Sequence, residues 1–212
     1  MPATKLVLWR HGVTDWNERG LFQGQTDIPL NDRGLGQAAA AAPYLAEFAP
    51  VAVYSSPMQR AQQTAHALTA LIGQTPIIDP RLAEIDVGSW VGKNLASTMA
   101  DDPVVRAAVQ AGNDYRRSPS GETMTEVGRR AGDSLREIAS RHSGQVVVAV
   151  SHGGAIRMGI ANLLEWTHWE SIVLAGVANC GWCVLNLRYG RWRIEAYNRV
   201  ASAPDPSANT EI

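Results

Sequence analysis

Short apolar runs alternate along this chain with stretches of helical periodicity. Lys5-Leu6-Val7-Leu8-Trp9 is apolar and brief, with Gly12 just beyond it, and predicts a buried strand. Asn31-Asp32 offers a helix N-cap ahead of the Ala-rich residues 37–42, and Pro43 is expected to kink or divide that helix. Val51-Ala52-Val53-Tyr54 reads as a second strand stopped by Ser55-Ser56-Pro57. Pro57 is placed to open a helix reaching about residue 72. Pro76-Ile77-Ile78 reads as a third strand. Residues 123–142 repeat apolar positions at Met124, Val127, Leu135 and Ile138, a helical spacing. Gln145-Val146-Val147-Val148-Ala149-Val150 is the strongest strand signal, and a helix is expected over 155–164. Two closing strands are expected at 181–188 and 192–197.

This alternation predicts an α/β fold, a three-layer sandwich in which helices flank a mostly parallel central sheet. One domain is expected over residues 1–200. The Gly- and Pro-punctuated stretch 86–120 reads as a small cap insertion, and 201–212 as a flexible tail. In such sheets ligands sit beyond the carboxyl ends of the strands.

Composition narrows the function classes. A chain of 212 residues can bury a core without disulfides or structural metals. Its 19 Lys and Arg against 20 Asp and Glu leave a net charge of −1, which argues against a broad nucleic-acid surface but is blind to a small cationic pocket. Two cysteines exclude a secreted disulfide scaffold. The apolar run ending at Trp9 is too short for a signal-peptide core or a membrane span, and no later stretch is apolar enough to span. No membrane partner and a cytoplasmic location are therefore expected.

The chemistry is at two strand ends. The first strand runs into Arg10-His11-Gly12, and the strand near residue 150 runs into Ser151-His152-Gly153-Gly154. If these strands are parallel neighbours, both imidazoles emerge at one edge of the sheet. The strand ending at Tyr54 brings Arg60, in the first turn of the next helix, to the same edge. Two guanidiniums offer forked donors matched to phosphate oxygens, and a neutral imidazole can attack phosphorus. A metal site fits less well, because the arginines repel a cation and no Asp, Glu or Cys set accompanies the histidines. Either histidine alone would be read as a polar residue capping a loop.

Leu8-Trp9-Arg10-His11-Gly12-Val13-Thr14-Asp15-Trp16-Asn17 resembles the signature of the histidine phosphatase superfamily, the phosphoglycerate mutase-like family. The stretches 22–30, 55–65 and 82–92, together with Ser120-Gly121-Glu122-Thr123 and Val150-Ser151-His152-Gly153-Gly154, resemble its further segments in order. The resemblance implies the phosphoglycerate mutase-like fold and a role for each matching position. His11 is the nucleophile, with Arg10, Arg60 and a protonated His152 completing the phosphate pocket. Glu84, preferred over Asp86, is the proton donor and later the base. Asn17 and Gln23 contact the phosphoryl group or substrate, and Gly24 and Gly153 act through backbone or close approach. No metal and no cofactor is implied. The expected partner is a small phosphorylated substrate, and a homodimer stays open.

The superfamily holds mutases and phosphatases. The 86–120 segment is short, and Ile85-Asp86-Val87 lacks the Arg-His-Tyr run that follows the acid in cofactor-dependent mutases, so a phosphatase is expected. The alternatives are a phosphoglycerate mutase, a narrower glucosyl-3-phosphoglycerate phosphatase suggested by Phe22-Gln23-Gly24-Gln25-Thr26-Asp27, and a phospho-ligand binding module without catalysis. Substrate choice is expected to lie with Trp90, Lys93, Met99, Tyr115, Arg116 and Arg117. The arginine pair is either a reader of a second anionic group or a solvated surface pair. Cys180 and Cys183 have C-x-x-C spacing but open a strand, which sends them to opposite faces as core residues. His66 and His142 read as surface or cap, His168 has no assigned role, and Trp166 and Trp169 read chiefly as core or loop anchors.

Overall fold

The computed structural model describes residues 4–201; the tail expected at 201–212 falls outside them apart from its first residue. Six strands form one sheet: β1 (Thr4–Arg10), β2 (Ala52–Ser55), β3 (Ile77–Ile78), β4 (Val146–Ser151), β5 (Trp182–Arg188) and β6 (Arg191–Arg199). Their order is β3-β2-β4-β1-β5-β6. β3, β2, β4 and β1 run parallel, and β5 and β6 close the far edge antiparallel.

Period-two alternation divides the core. Leu6 and Leu8 of β1 face one side with Val147 and Ala149 of β4. Val7 and Trp9 face the other with Val148 and Val150. Because both faces are covered, these strands are apolar throughout, as central parallel strands must be. The first face is covered by α6 (Met124–Arg141) and α7 (Gly153–Leu163), through Leu135, Ile138, Ile156 and Ile160. The second is covered by α2 (Asp32–Ala46) and α3 (Gln59–Ile72), through Ala38, Ala41, Leu45, Ala61 and Leu68. This is the expected three-layer α/β sandwich.

A third cluster joins Ile85, Val87, Trp90 and Val105 to Met124, Val127 and Met158. It seats residues 86–120, including α4 (Leu95–Asp101) and α5 (Pro103–Gln110), against α6 and α7. The short helices α1 (Asp15–Glu18) and α8 (His168–Ser171) lack a sequence signal of their own length.

Three expectations are corrected. Pro43 does not divide α2, which runs on to Ala46. Pro43 and Ala39, whose carbonyl would have received its N–H, both lie on the exposed face, where water replaces the lost bond. Helix α3 starts at Gln59 after N-cap Met58, two residues past Pro57. Helix α7 starts at Gly153, so both glycines belong to its first turn. The cysteine reading holds: Cys180 and Cys183 are buried, free, and packed on opposite faces.

Asn31 caps α2 by accepting the Gly34 N–H at 3.0 Å, and the loop after β1 crosses this first turn closely. A Cβ on Gly34 would stand 2.1 Å from the Val13 carbonyl oxygen, a backbone atom that cannot step aside. Gly34→Ala is expected to destabilise the protein by about 2 kcal/mol. The corresponding fall in Tm is about 4–8 °C for a chain of this size, read by thermal melting.

Candidate active site

Pairing between β1 and β4 sets Arg10 opposite Ser151, so His11 and His152 leave adjacent strand ends together. Their rings lie 5.0 Å apart, centroid to centroid. β2 flanks β4 on the other side, and Ser56, just past its end, donates its N–H to the Val150 carbonyl. Arg60 follows in the first turn of α3. The topology thus gathers Arg10, His11, Arg60 and His152 at one sheet edge.

Each of the four is buried and held by neighbours. The His11 Nδ1–H donates to the Gly12 carbonyl at 2.7 Å, which leaves Nε2 as the ring atom with a free lone pair. Burial first, then the Arg60 and Arg10 charges, push its pKa well below the ordinary imidazole value. Arg10 donates through Nη1 to the Val177 carbonyl at 2.6 Å, while its buried Nε has no partner. Arg60 donates Nη1 to the Thr26 carbonyl at 2.8 Å and Nη2 to the Gly24 carbonyl at 2.7 Å. Each terminal nitrogen keeps a second N–H.

His152 corrects an expectation. Arg60 Nε–H donates to its Nδ1 at 3.3 Å, so its Nε2–H donates to Ser56 Oγ at 2.7 Å. Burial, Arg60, His11 and Arg10 all hold the pKa well below that of a free imidazole. The ring is neutral here, with both nitrogens occupied, rather than protonated.

A cavity of about 340 Å³ opens over this edge. Arg10, His11, Asn17, Gln23, Gly24, Arg60 and Glu84 all line it. His152 and Gly153 do not. They stand behind the lining, His152 against Arg60 and Gly153 against the Arg10 guanidinium, 3.5 Å from where its Cβ would be. Asn17 Oδ1 accepts from Thr14 N–H at 3.1 Å, and Gln23 Oε1 is buried without a partner.

Glu84 reaches the cavity and Asp86 does not; Asp86 instead accepts the Gly88 N–H at 2.8 Å. The Glu84 carboxylate accepts N–H bonds from Ile85 at 2.9 Å, Gly154 at 3.3 Å and Ala155 at 3.2 Å. Two of these donors are the open N–H groups of the first turn of α7. Gly154 must be glycine for this approach, since a Cβ there would lie 2.7 Å from Glu84 Oε1. The backbone behind the acid is clamped by Arg130, which donates to the carbonyls of Arg81, Ala83 and Glu84 at 2.9, 2.6 and 2.8 Å. Glu122 binds that guanidinium in turn, at 2.8 Å to both Nε and Nη2.

The expected specificity residues separate. Of the six, only Arg117 lines the cavity. It lies 3.9 Å over the Tyr115 ring and pairs with Asp114 at 3.2 Å. Arg116 points away, to the Gly121 carbonyl and Glu126, and Lys93 pairs with Asp101. Trp90 stacks on Phe22 and meets the tilted Tyr115 ring as part of the third core cluster. The apolar wall comes instead from Leu21, Phe22, Ile85, Val87, Leu95 and Met124. Trp166 packs on the core, and Trp169 is 66% exposed. The sequence reading missed Gly154, Arg130 and Asn179. Gly154 was quoted only as part of a motif, and the other two carry no local signal.

Among the described residues no three His, Cys, Asp or Glu side chains are grouped as metal ligands, and no helix is long and apolar enough to cross a membrane. The model of the histidine phosphatase superfamily (branch 1) matches residues 6–200. A metal-independent phosphoserine phosphatase of Arabidopsis thaliana is 34% identical over 202 residues, 94% of this chain and 83% of that one. A glucosyl-3-phosphoglycerate phosphatase of Mycobacterium tuberculosis is 33% identical over 218 residues, 95% of this chain and 97% of that one. A solved structure of a mycobacterial glucosyl-3-phosphoglycerate phosphatase with VO3 superposes with a TM-score of 0.83 at 34% identity, covering 92% of this chain and 98% of that one. With this match along its length and this cluster at its strand ends, the chain belongs to the histidine phosphatase superfamily, as a phosphatase of branch 1.

Proposed function

We propose that this phosphatase hydrolyses small phosphorylated metabolites without a metal, through a phosphohistidine on His11, with Glu84 as acid and base. One observation carries the reading: His11, its Nδ1 tied to the Gly12 carbonyl and its Nε2 left without a partner, shares a cavity with two buried guanidiniums and the Glu84 carboxyl group. His11 Nε2 attacks phosphorus, forming the P–N bond as the bond to the leaving oxygen breaks. Glu84 gives that oxygen its proton. Arg10 and Arg60 neutralise the charge spread over the equatorial oxygens, the part a metal plays in other phosphoryl transfers. Water then attacks, losing its proton to Glu84 as the P–N bond breaks and inorganic phosphate forms. Asn17, Gln23 and the Gly24 segment border the phosphoryl group. His152 holds Arg60 in place through Nδ1, with Gly153 packed behind Arg10. Residues 86–120 form a cap on a single domain spanning 1–200.

Hydrolysis is favoured over phosphoryl transfer to a second hydroxyl by the relatives above, which are named as phosphatases. Arg117 is a lining cation beyond the phosphate group, as is Arg33. It suits a substrate with a second negative charge, as in the phosphoserine and glucosyl-3-phosphoglycerate named for the relatives.

His11→Ala is expected to lower kcat more than about 10,000-fold on p-nitrophenyl phosphate in EDTA. Glu84→Gln should cost about 100- to 10,000-fold on an alkyl phosphate, and less on p-nitrophenyl phosphate, whose leaving group needs little protonation. Full activity in both variants, or a strict need for a divalent cation, contradicts the mechanism. The His11 imidazole should titrate by NMR below about 6.5, because burial and two neighbouring cations disfavour its charged form. Its neutral, nucleophilic form then persists as the pH falls through the ordinary histidine range. Arg60→Gln should raise the midpoint, and a His11 midpoint above that range would contradict this account. Arg117→Leu should raise KM about tenfold for phosphoserine while leaving KM for p-nitrophenyl phosphate within about twofold, a selectivity of about 1.4 kcal/mol.

A further inference from the structure

We propose that the loop between α8 and β5 fixes the polarity of the phosphate pocket, and that Asn179 is its positioning residue. The inference rests on the phosphatase reading above and extends it to residues with no assigned part in it. Because β5 pairs antiparallel with β1, Trp9 opposite Trp182, this loop turns directly beside the end of β1. It contacts three residues of the cavity lining. The Val177 carbonyl accepts from Arg10 Nη1 at 2.6 Å. The His11 carbonyl accepts from Cys180 N–H at 3.2 Å and from Asn179 Nδ2 at 3.1 Å. The same Asn179 nitrogen reaches Asn17 Oδ1 at 3.3 Å.

The orientation of both amides follows from their partners. Thr14 N–H is a fixed backbone donor 3.1 Å from the Asn17 side chain, so an oxygen must face it. Thr14 Oγ1 accepts the Asn17 N–H at 3.1 Å and is left to donate its own proton to Asn17 Oδ1 at 3.0 Å. With Asn179 as the third donor, the Asn17 oxygen is fully engaged. The Asn17 amino group is the end left to serve the cavity. Asn179 faces two acceptors, the His11 carbonyl and Asn17 Oδ1, so its own nitrogen must face them. Asn179 therefore fixes the carbonyl of the nucleophile's own residue and keeps Asn17 a donor toward an anion. The Asn17 amino group then has the same sign toward the phosphoryl oxygens as Arg10 and Arg60.

The loop is itself anchored. Gly181 N–H donates to the Ala178 carbonyl at 2.8 Å, and Ala178 N–H donates to Asn198 Oδ1 of β6 at 2.7 Å. Gly181 returns its carbonyl to Arg10 N–H at 2.9 Å. Cys180 takes a left-handed φ of 56°, unusual for a residue with a Cβ and held by this set of bonds.

The test is a double-mutant cycle on the full chain in EDTA, with steady-state kinetics on p-nitrophenyl phosphate, calorimetric binding of vanadate and thermal melting. Asn179→Ala should lower kcat/KM about 10- to 100-fold and weaken vanadate binding in parallel, at a small change in Tm. Asn179→Asp should be worse by a further tenfold or more, since it sets a carboxylate against two acceptor oxygens and adds negative charge to the lining. Asn179→Ser, which keeps one short donor, should recover part of the loss. Asn17→Ala should cost much less in the Asn179→Ala background than in the parent, because Asn179 acts through Asn17. An Asn179→Ala enzyme within twofold of the parent in both turnover and vanadate binding overturns the inference. So does full additivity with Asn17→Ala. If Asn179→Asp fails to fold, the alanine cycle still decides. Absence of turnover in the parent would sink the phosphatase reading alone, and vanadate binding to the parent and to Asn179→Ala would then settle the role of Asn179.

Discussion

The site depends on the pairing register of β1 with β4. Arg10 sits opposite Ser151, so the next residue of each strand is a histidine, and the rings meet at 5.0 Å. Side chains alternate along a strand, so a slip of one residue would turn every core side chain of β1 to the wrong face and separate the two imidazoles. The two buried clusters make that slip costly, because Leu6 and Leu8 belong to one and Val7 and Trp9 to the other. Packing far from the cavity thereby fixes the geometry within it.

The electrostatics follow from that burial. Two guanidiniums and two imidazoles occupy one buried edge. Burial disfavours charge on all four, and the arginines disfavour it further on the histidines. Arg60 is pushed down to about 10 yet stays charged at neutral pH. The histidines yield, their pKa values pushed well below that of a free imidazole. One settlement of competing charges thus disfavours charge on the imidazoles and leaves a cationic cradle beside them. A phosphate dianion supplies the opposite charge that the arginines lack among their hydrogen-bond partners, which are carbonyls and one imidazole nitrogen.

Glu84 is placed by further bonds. Glu84 lies in irregular chain between the 3-10 turn Pro80–Leu82 and the cap residues, where no regular ladder would hold it. Arg130 replaces that ladder by donating to the carbonyls of Arg81, Ala83 and Glu84 from behind, its guanidinium held by Glu122, while the first turn of α7 holds the carboxylate from the front. His11 and Glu84 are thus held by different bonds around a shared support, the end of β4 and the first turn of α7.

The sequence by itself determined the main strands and long helices, their α/β class and the arginines and histidines that gather at the strand ends. Those signals are local: a strand announces itself by its apolar run, and His11 and His152 by their place after one. Small departures at Pro43, Pro57 and Gly153 came from surroundings that local pattern does not record, such as whether a lost hydrogen bond faces water. Only the tertiary structure decided the state and surroundings of those residues. His152 is neutral because Arg60, 92 residues away in the chain, occupies its Nδ1. Arg117 faces the cavity while Arg116 does not, because Asp114 and Glu126 draw them to different sides. Asn179 matters through partners 168 and 162 residues distant. Protonation, amide orientation and the cavity wall depend on distances between residues remote in sequence, and those distances exist only once the sheet has set its register.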